Sequence, residues 1–230
     1  MMRRCVLLFT RAARAEARAK GVAAAEPLFA LSHRRVAQAV LALDGVDLVV
    51  VGPRVPGLPP GARRLDQRGR GFAERLGSAF GDVRALGYRE VVAVPGDVPG
   101  LSAAHLEAAF AALVSHPVVL GPSPDGGVYL LGTREGPDRL FEGVRWCTPF
   151  VLADLARRAP GPALLPALAD VDRAADLDRL AGDPTLDPSL RALVRQIRRP
   201  AVPRPTFPDA PPRSRPTASP GVERGPPAVA

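Results

Sequence analysis

Short apolar runs alternate along the chain with longer stretches whose apolar residues recur every three or four positions. CVLLF (5–9) is five apolar residues in a row, the pattern of a strand buried on both faces. From about Pro27 to Leu43, residues Leu28, Leu31, Val36, Val40 and Leu43 fall on one stripe and predict an amphipathic helix. VDLVVV (46–51) predicts a second strand, followed by a Pro/Gly-rich loop. A second helix is predicted from about Gly71 to Leu86, where Phe72, Leu76, Phe80 and Val83 recur at spacings of four, four and three. EVVAVP (90–95) predicts a third strand, and Ser102 stands where an N-cap belongs, ahead of a helix carrying Leu106, Phe110 and Leu113. HPVVLGPS (116–123) and VYLLG (128–132) predict two more strands around the turn PDGG. Thr148-Pro149 and Asp187-Pro188 each pair a cap residue with a first-turn proline and predict two further helices, the second over SLRALVRQIRR.

Strands alternating with helices predict an α/β fold of three layers, α/β/α, with a mainly parallel sheet covered on both faces. In such sheets ligands sit beyond the carboxyl ends of the strands. Asp97, in PGDVPGL, lies just past the third predicted strand. That position makes it a candidate site residue, beside the plainer reading of a solvated turn aspartate.

From about Pro200 the pattern stops. Ten of the last 31 residues are proline and no apolar periodicity remains, so the segment cannot offset its own ordering entropy. The chain therefore divides into a domain over 1–199 and a Pro/Arg-rich tail over 200–230 that is predicted to be disordered. The PxxP spacings of the tail are its one hint of a polyproline-binding partner.

With 230 residues and 47% apolar content the chain suits one domain with a substantial core. No apolar run approaches the roughly 20 residues of a membrane span, and CVLLF is too short for a signal peptide's apolar region. The expectation is a cytoplasmic protein. Cys5 and Cys147 are isolated, form neither a zinc pattern nor a disulfide framework, and read as packing residues. The net charge is +8, but the arginines that supply it are scattered among acids and partly lie in the tail. This favours polyanions in general without marking a nucleic-acid module.

No GxxxxGK[ST] loop, no GxGxxG after the first strand and no GxSxG elbow is present. The histidines share no ligand spacing. His33 and His105 read as helix-surface residues and His116 as a loop residue before a strand. The candidate chemistry falls to carboxylates: Asp97, Asp125 in SPDGGVYLLG, and Asp170 and Asp172 in LADVDRAADL. Alternate positions put the last two on one side of an extended backbone. Mg²⁺ takes one or two protein carboxylates and completes its shell with water and phosphate oxygens, so Asp97 with Asp170 and Asp172 would suit it. Plainer readings stand beside this one. Asp172 would serve as N-cap of the short helix RAADLDRL, and Asp125 would belong to a tight hairpin turn that also accounts for Gly126 and Gly127.

Four stretches then carry a resemblance: DQRGRGFAERLGSAF (66–80), VVAVPGDVPGLSAAHLEAAF (91–110), VVLGPSPDGGVYLLG (118–132) and FEGVRWCTPFVLADL (141–155), followed by DVDRAADLDRL. In this order and spacing they resemble the bacterial glycosyltransferase-like proteins described as radical-SAM/selenodomain-associated transferases. Those are relatives of the deazaflavin-cofactor guanylyltransferases and the molybdenum-cofactor nucleotidyltransferases. The likeness covers most of residues 1 to 182. It implies a glycosyltransferase A-type (nucleotide-diphospho-sugar transferase-like) fold with Mg²⁺ or Mn²⁺ on Asp97, and with Asp170 and Asp172 also reaching metal. It further implies a nucleotide held by Phe9, Arg11, Lys20, Gln67, Gly69 and Arg75, with Asp97 and Lys20 in catalysis. The acceptor side would be Pro99, Asp125, Gly126, Gly127 and Trp146. Two departures stand out. The family's first loop reads like RxPxxGxxKTRL, whereas this chain has FTRAARAEARAKGV (9–22), and Cys147 replaces the serine usual after the tryptophan.

The sequence is thus read as a metal-dependent transferase with a nucleotide or nucleotide-sugar donor and a small-molecule acceptor. It would be a monomer or homodimer, with no nucleic-acid or membrane partner. The altered first loop leaves one alternative, a catalytically inactive nucleotide- or ligand-binding protein on the same fold.

Overall fold

Cys5 and Leu7 pack on one side of the first strand and Val6 and Leu8 on the other, and none of the four exposes any surface. A strand buried on both faces must lie inside a sheet covered on both sides, and that is the architecture of the computed structural model, which describes residues 2–137 and 139–198. The predicted disordered tail, 200–230, lies outside the described residues.

In chain order the elements are β1 (Arg3–Phe9), α1 (Ala13–Ala19), α2 (Glu26–Leu41), β2 (Val46–Val51), β3 (Arg63–Leu65), α3 (Phe72–Ala85) and β4 (Tyr88–Pro95). Then come α4 (Ala103–Leu113), β5 (Val118–Pro122), β6 (Val128–Thr133), α5 (Val151–Arg158), β7 (Ala163–Leu164), α6 (Ala174–Gly182) and α7 (Pro188–Arg198). The strands form one sheet in the order β3-β2-β1-β4-β6-β5-β7. Every pairing is parallel except those of β6 with β4 and with β5. The mainly parallel three-layer sheet expected from the sequence is the observed one.

One face packs Val6, Leu8, Val92 and Val94 against Val36 and Val40 of α2 and Leu106 and Phe110 of α4. The other packs Leu7, Val49, Val91 and Leu120 against Leu76, Phe80 and Val83 of α3 and Leu155 of α5. A third apolar cluster lies outside the sheet and joins α1, α2, α6 and α7 through Ala17, Phe29, Val171, Leu177, Leu190 and Val194. This third cluster matters for the site, because it docks the segment before α6 beside the loop that follows β1. No helix among the described residues is long and apolar enough to cross a membrane.

Three elements escaped the periodicity. β3 and β7 are three and two residues long, too short to show an alternation. α1 occupies the altered first loop, where ARAEARA is rich in strong helix formers and has no Pro or Gly to interrupt it. Two assignments of single residues are corrected. His33 is not on the surface: it is 1% exposed, on the buried stripe of α2 four residues after Phe29. Cys147 is not a packing residue: it is exposed, with φ 59, whereas Cys5 is buried and its thiol is pushed up to about 12 by burial.

Candidate functional site

The carboxyl ends of β1 and β4 open into a cleft of about 680 Å³, a volume ordinary for a small-molecule site. Its floor is built on Thr10. The Thr10 N–H donates to Val51 O at 3.2 Å, its carbonyl accepts from Gln67 Nε2 at 3.0 Å, and its hydroxyl lies 2.7 Å from His33 Nε2. Burial drops the His33 imidazole to about 4, so it stays neutral and can share that bond with the hydroxyl. Gly96 lies against this pair, leaving no room for a side chain: an added Cβ would come 2.6 Å from His33 Cδ2 and closer still to Thr10 Oγ1. The glycine before Asp97 is therefore required by packing beneath it.

Asp97 leaves β4 on that support. Its backbone carbonyl accepts from Val171 N at 3.1 Å, which fastens the 170–172 segment alongside. Val171 is fully buried in the third cluster while Asp170 and Asp172 line the cleft on either side of it, the alternation expected of an extended segment. Asp172 is not the helix cap. Arg173 holds the N-cap position of α6, and Asp176 Oδ2 accepts from the backbone N–H groups of Asp172 and Arg173, both at 2.9 Å. The Asp172 carboxylate is thereby left to the cleft.

Lys20, just past the end of α1, reaches into these acids. Its Nζ donates to Asp97 Oδ2, to Asp172 Oδ1 at 2.8 Å and to Val171 O at 2.7 Å, with Glu16 Oε1 at 3.4 Å. Burial alone would lower the ammonium's pKa, but Asp97 and Asp172 outweigh it and hold the group above the ordinary lysine value. Burial raises the Asp97 carboxyl even though Lys20 pulls it down, and its Oδ1 is buried with no hydrogen-bond partner. Asp125 belongs to both of its readings. Its Oδ1 accepts from Gly127 N at 2.9 Å within the β5–β6 turn, and its carboxylate also joins Asp170 and Asp172, one oxygen from each lying within 4.8 Å of the others. Burial, followed by the charges of Asp97, Asp172 and Asp125, pushes Asp170 up to about 7.

These acids repel one another, and Lys20 supplies one positive charge among Glu16, Asp97, Asp125, Asp170 and Asp172. Asp125, Asp170 and Asp172 form an all-oxygen set that fits a hard divalent cation such as Mg²⁺ or Mn²⁺, and Asp97, outside that set, keeps a buried oxygen without a partner. The clustering differs in detail from the sequence expectation. Asp125 groups with Asp170 and Asp172, while Asp97 is joined to them through Lys20.

An aromatic wall also lines the cleft. Phe9 and Phe72 meet edge to face at 5.8 Å, and Phe72 lies 5.2 Å from Trp146. Arg11 and Arg75 also line the cleft, Arg11 half-exposed beside Glu16 at 3.8 Å. Gln67 lines it too, with its amide donating to Thr10 O and Val51 O. Gly127 lines the cleft, whereas Gly69, Pro99 and Gly126 do not. Gly69 (φ 127) turns the chain tightly into α3, where an added Cβ would meet Glu74 Cβ at 2.8 Å. Pro99 is buried. Sequence reasoning missed Thr10, His33 and Glu16. The i,i+4 pairing of Glu16 with Lys20 was readable in ARAEARAK, but the Thr10–His33 contact joins positions 23 apart and left no local mark.

Residues 27–148 match the model of the family described as an uncharacterized protein conserved in bacteria (DUF2064). No curated protein matches the chain. Among solved structures, a protein of Desulfovibrio desulfuricans provisionally named a nucleotide-diphospho-sugar transferase is 26% identical over 85% of this chain and 95% of its own, with a TM-score of 0.70. CMP:2-keto-3-deoxy-manno-octonic acid synthetase, solved with CTP, is 15% identical over 84% of this chain and 99% of its own, with a TM-score of 0.51. The 4-diphosphocytidyl-2C-methyl-D-erythritol synthase of Anaerococcus prevotii is 10% identical over 75% and 94%, with a TM-score of 0.50. At such identities the last two share the fold with this chain, the nucleotide-diphospho-sugar transferase fold.

Proposed function

The chain belongs to the DUF2064 family, and from that premise and the chemistry of the cleft we propose that it is a metal-dependent transferase with a nucleotide-activated donor. The observation that carries the reading is the gathering of Asp97, Asp125, Asp170 and Asp172 with Lys20 at the carboxyl end of the sheet. Arg11, Arg75, Arg173 and Arg179 line the same cleft, so the four aspartates and Lys20 form an acidic cluster within a lining of both signs. Asp97, Asp170 and Asp172, with Asp125 beside them, would hold Mg²⁺ or Mn²⁺. The bound ion would neutralise the donor's phosphate oxygens.

The chain's own side chains do the rest. Lys20, Arg11 and Arg75 meet the phosphates as point charges and forks. Lys20 stabilises the charge that grows on the leaving phosphate, and Asp97 holds Lys20 in place for this. The aromatic wall and Gly127 confine the planar parts of the bound molecules, and an acceptor oxygen attacks the donor as the pyrophosphate or nucleoside diphosphate departs. Positioning and charge neutralisation are the sources of rate, with no covalent intermediate. The synthetase solved with CTP and the D. desulfuricans protein, both of this fold, support a nucleotide donor. Nucleotidyl and glycosyl transfer both satisfy this reading.

A thermal-shift screen of nucleoside triphosphates and nucleotide sugars, with Mg²⁺, Mn²⁺ or EDTA, tests the reading. A ligand present at about 100 times its Kd should stabilise the fold by about 2.7 kcal/mol. That shift should require metal. No response to any nucleotide, or an equal response in EDTA, would contradict it. The tying of Lys20 by three acids favours one second reading, a binding protein without turnover. It predicts the same metal-dependent shift with no release of pyrophosphate or nucleoside diphosphate.

A further inference from the structure

The loop between β6 and α5 places Trp146, Cys147 and Thr148 in the wall of the cleft, and it is fastened at both ends. At the first end Arg145 is gripped by Asp154 of α5. The Arg145 backbone N–H and Nε donate to Asp154 Oδ2 at 3.1 and 2.8 Å, and an Arg145 terminal nitrogen donates to Oδ1 at 2.9 Å. Arg157 adds a fourth bond at 3.0 Å, and Asp154 exposes no surface. At the other end Leu152 N–H donates to Gly126 O at 3.0 Å, and Pro149 lies so close to Gly126 (φ 88) that an added Cβ would stand 2.8 Å from the Pro149 carbonyl carbon. Between the two fastenings the Thr148 hydroxyl donates to Arg145 O at 2.6 Å. Cys147 has φ 59, a left-handed conformation that a non-glycine residue keeps only where its surroundings over-determine it.

An acid in the first turn of a helix is ordinarily satisfied by that helix's own N–H groups. Asp154 instead spends three of its four bonds on a residue of the loop, one of them on the loop's backbone. What this fixes is the next residue, Trp146, 5.2 Å from Phe72 and 4.8 Å edge-on from Phe141. A wall rigid before binding loses little freedom when a ligand arrives.

We propose that Asp154 is a positioning residue: acting through Arg145, it fixes Trp146 as a preformed flat wall against which a planar ring of the bound small molecule stacks. This rests on the reading of the cleft as a substrate site. Asp154 itself lies outside the cleft and touches no substrate.

Trp146 is the sole tryptophan, so its fluorescence reports this wall alone. Asp154→Asn should shift its emission to the red and raise its quenching by acrylamide, with far-UV circular dichroism unchanged. Should Asp154→Asn fail to fold, Arg145→Met removes the two side-chain bonds of the grip at a half-exposed position and should give a shift in the same direction. An unmoved Trp146 spectrum in the folded variant overturns the proposal. The binding arm uses ATP, GTP, CTP and UTP with MgCl₂, and inorganic tripolyphosphate with MgCl₂ as the ringless control. Any nucleotide that binds should bind about fivefold or more weakly to the variant, with tripolyphosphate unaffected. Equal loss for both, or no loss, overturns it. If no nucleotide binds the unaltered protein, the nucleotide-donor reading fails, and the fluorescence comparison still decides the role of Asp154.

Discussion

Gly96→Ala adds one methyl group beneath the aspartate on which the proposed function depends. The new Cβ would meet His33 Cδ2 at 2.6 Å, with His33 Nε2 and Thr10 Oγ1 nearer still. Neither neighbour can swing away into solvent: His33 is 1% exposed, Thr10 is 6% exposed, and the two are bonded to each other at 2.7 Å. Overpacking of this kind costs about 1–3 kcal/mol. Parting the buried imidazole from the hydroxyl costs about 1–3 kcal/mol where a partner is left unsatisfied. Because one movement relieves part of both, the expected loss is about 2–4 kcal/mol. In a domain of this size that lowers Tm by about 5–12 °C. Urea and thermal denaturation measure it. His33→Ala supplies the control, because the space vacated by the imidazole accepts the methyl group. The Gly96→Ala/His33→Ala pair should therefore be less destabilised than the sum of the singles by at least about 1 kcal/mol. A Gly96→Ala loss below about 0.5 kcal/mol, or strict additivity, would refute the packing argument.

Three further outcomes follow from the charges. Asp170 has its carboxyl raised to about 7, so the folded chain holds a proton that the unfolded chain gives up near pH 4, and stability falls as pH rises between those values. Asp170→Asn should therefore raise stability at pH 8 by about 2 kcal/mol, after allowing for partial exposure, with the gain vanishing towards pH 4 in urea titrations. His33 works in the opposite sense. Its imidazole, lowered to about 4, leaves the unfolded state to take the proton first, so stability is full above about pH 6.5 and lost as pH falls towards 4. In the Asp170→Asn background that loss should be about 3 kcal/mol, and His33→Gln should remove most of it. Lys20→Met leaves Asp97, Asp172 and Glu16 without their cation and should cost about 2–4 kcal/mol at neutral pH, shrinking as the carboxylates protonate. Unchanged stability of that variant at pH 7 would remove Lys20 from the cluster.

The strands and long helices were legible because each buries a stripe or a whole face. CVLLF and VDLVVV became the two adjacent parallel strands β1 and β2, and the stripe of Leu28, Val36 and Val40 became the buried side of α2. Ser102 caps α4, its N–H donating to His105 Nδ1 at 3.3 Å. The sheet's carboxyl edge was legible too, and it put Asp97 in the cleft. What stayed hidden depends on contacts distant in sequence. Lys20 lies 77 positions from Asp97 and 152 from Asp172, and the third apolar cluster together with the Val171 N–H bond to Asp97 O brings the three together. The first loop departs from the family's pattern and gave no element to predict, yet the absence of Pro and Gly lets ARAEARA form α1 and deliver Lys20 from its end. Asp172 matched a capping pattern that Asp176 in fact fulfils, since a cap is chosen by which carboxylate faces the free N–H groups. Asp154 gave no signal at all, because a lone acid in a helix carries no spacing to read.

Calorimetric titration of Mg²⁺ or Mn²⁺ in the presence of a nucleoside triphosphate, on the unaltered protein and on Asp97→Asn, tests the central claim most directly. Asn keeps the shape of the side chain and removes its charge. If Asp97 helps to hold the metal on which donor binding depends, the variant should remain folded and bind the ion at least about tenfold more weakly, or about 1.4 kcal/mol. Equal affinity in the two proteins would contradict the account and return Asp97 to the role of a loop residue that does no more than hold Lys20.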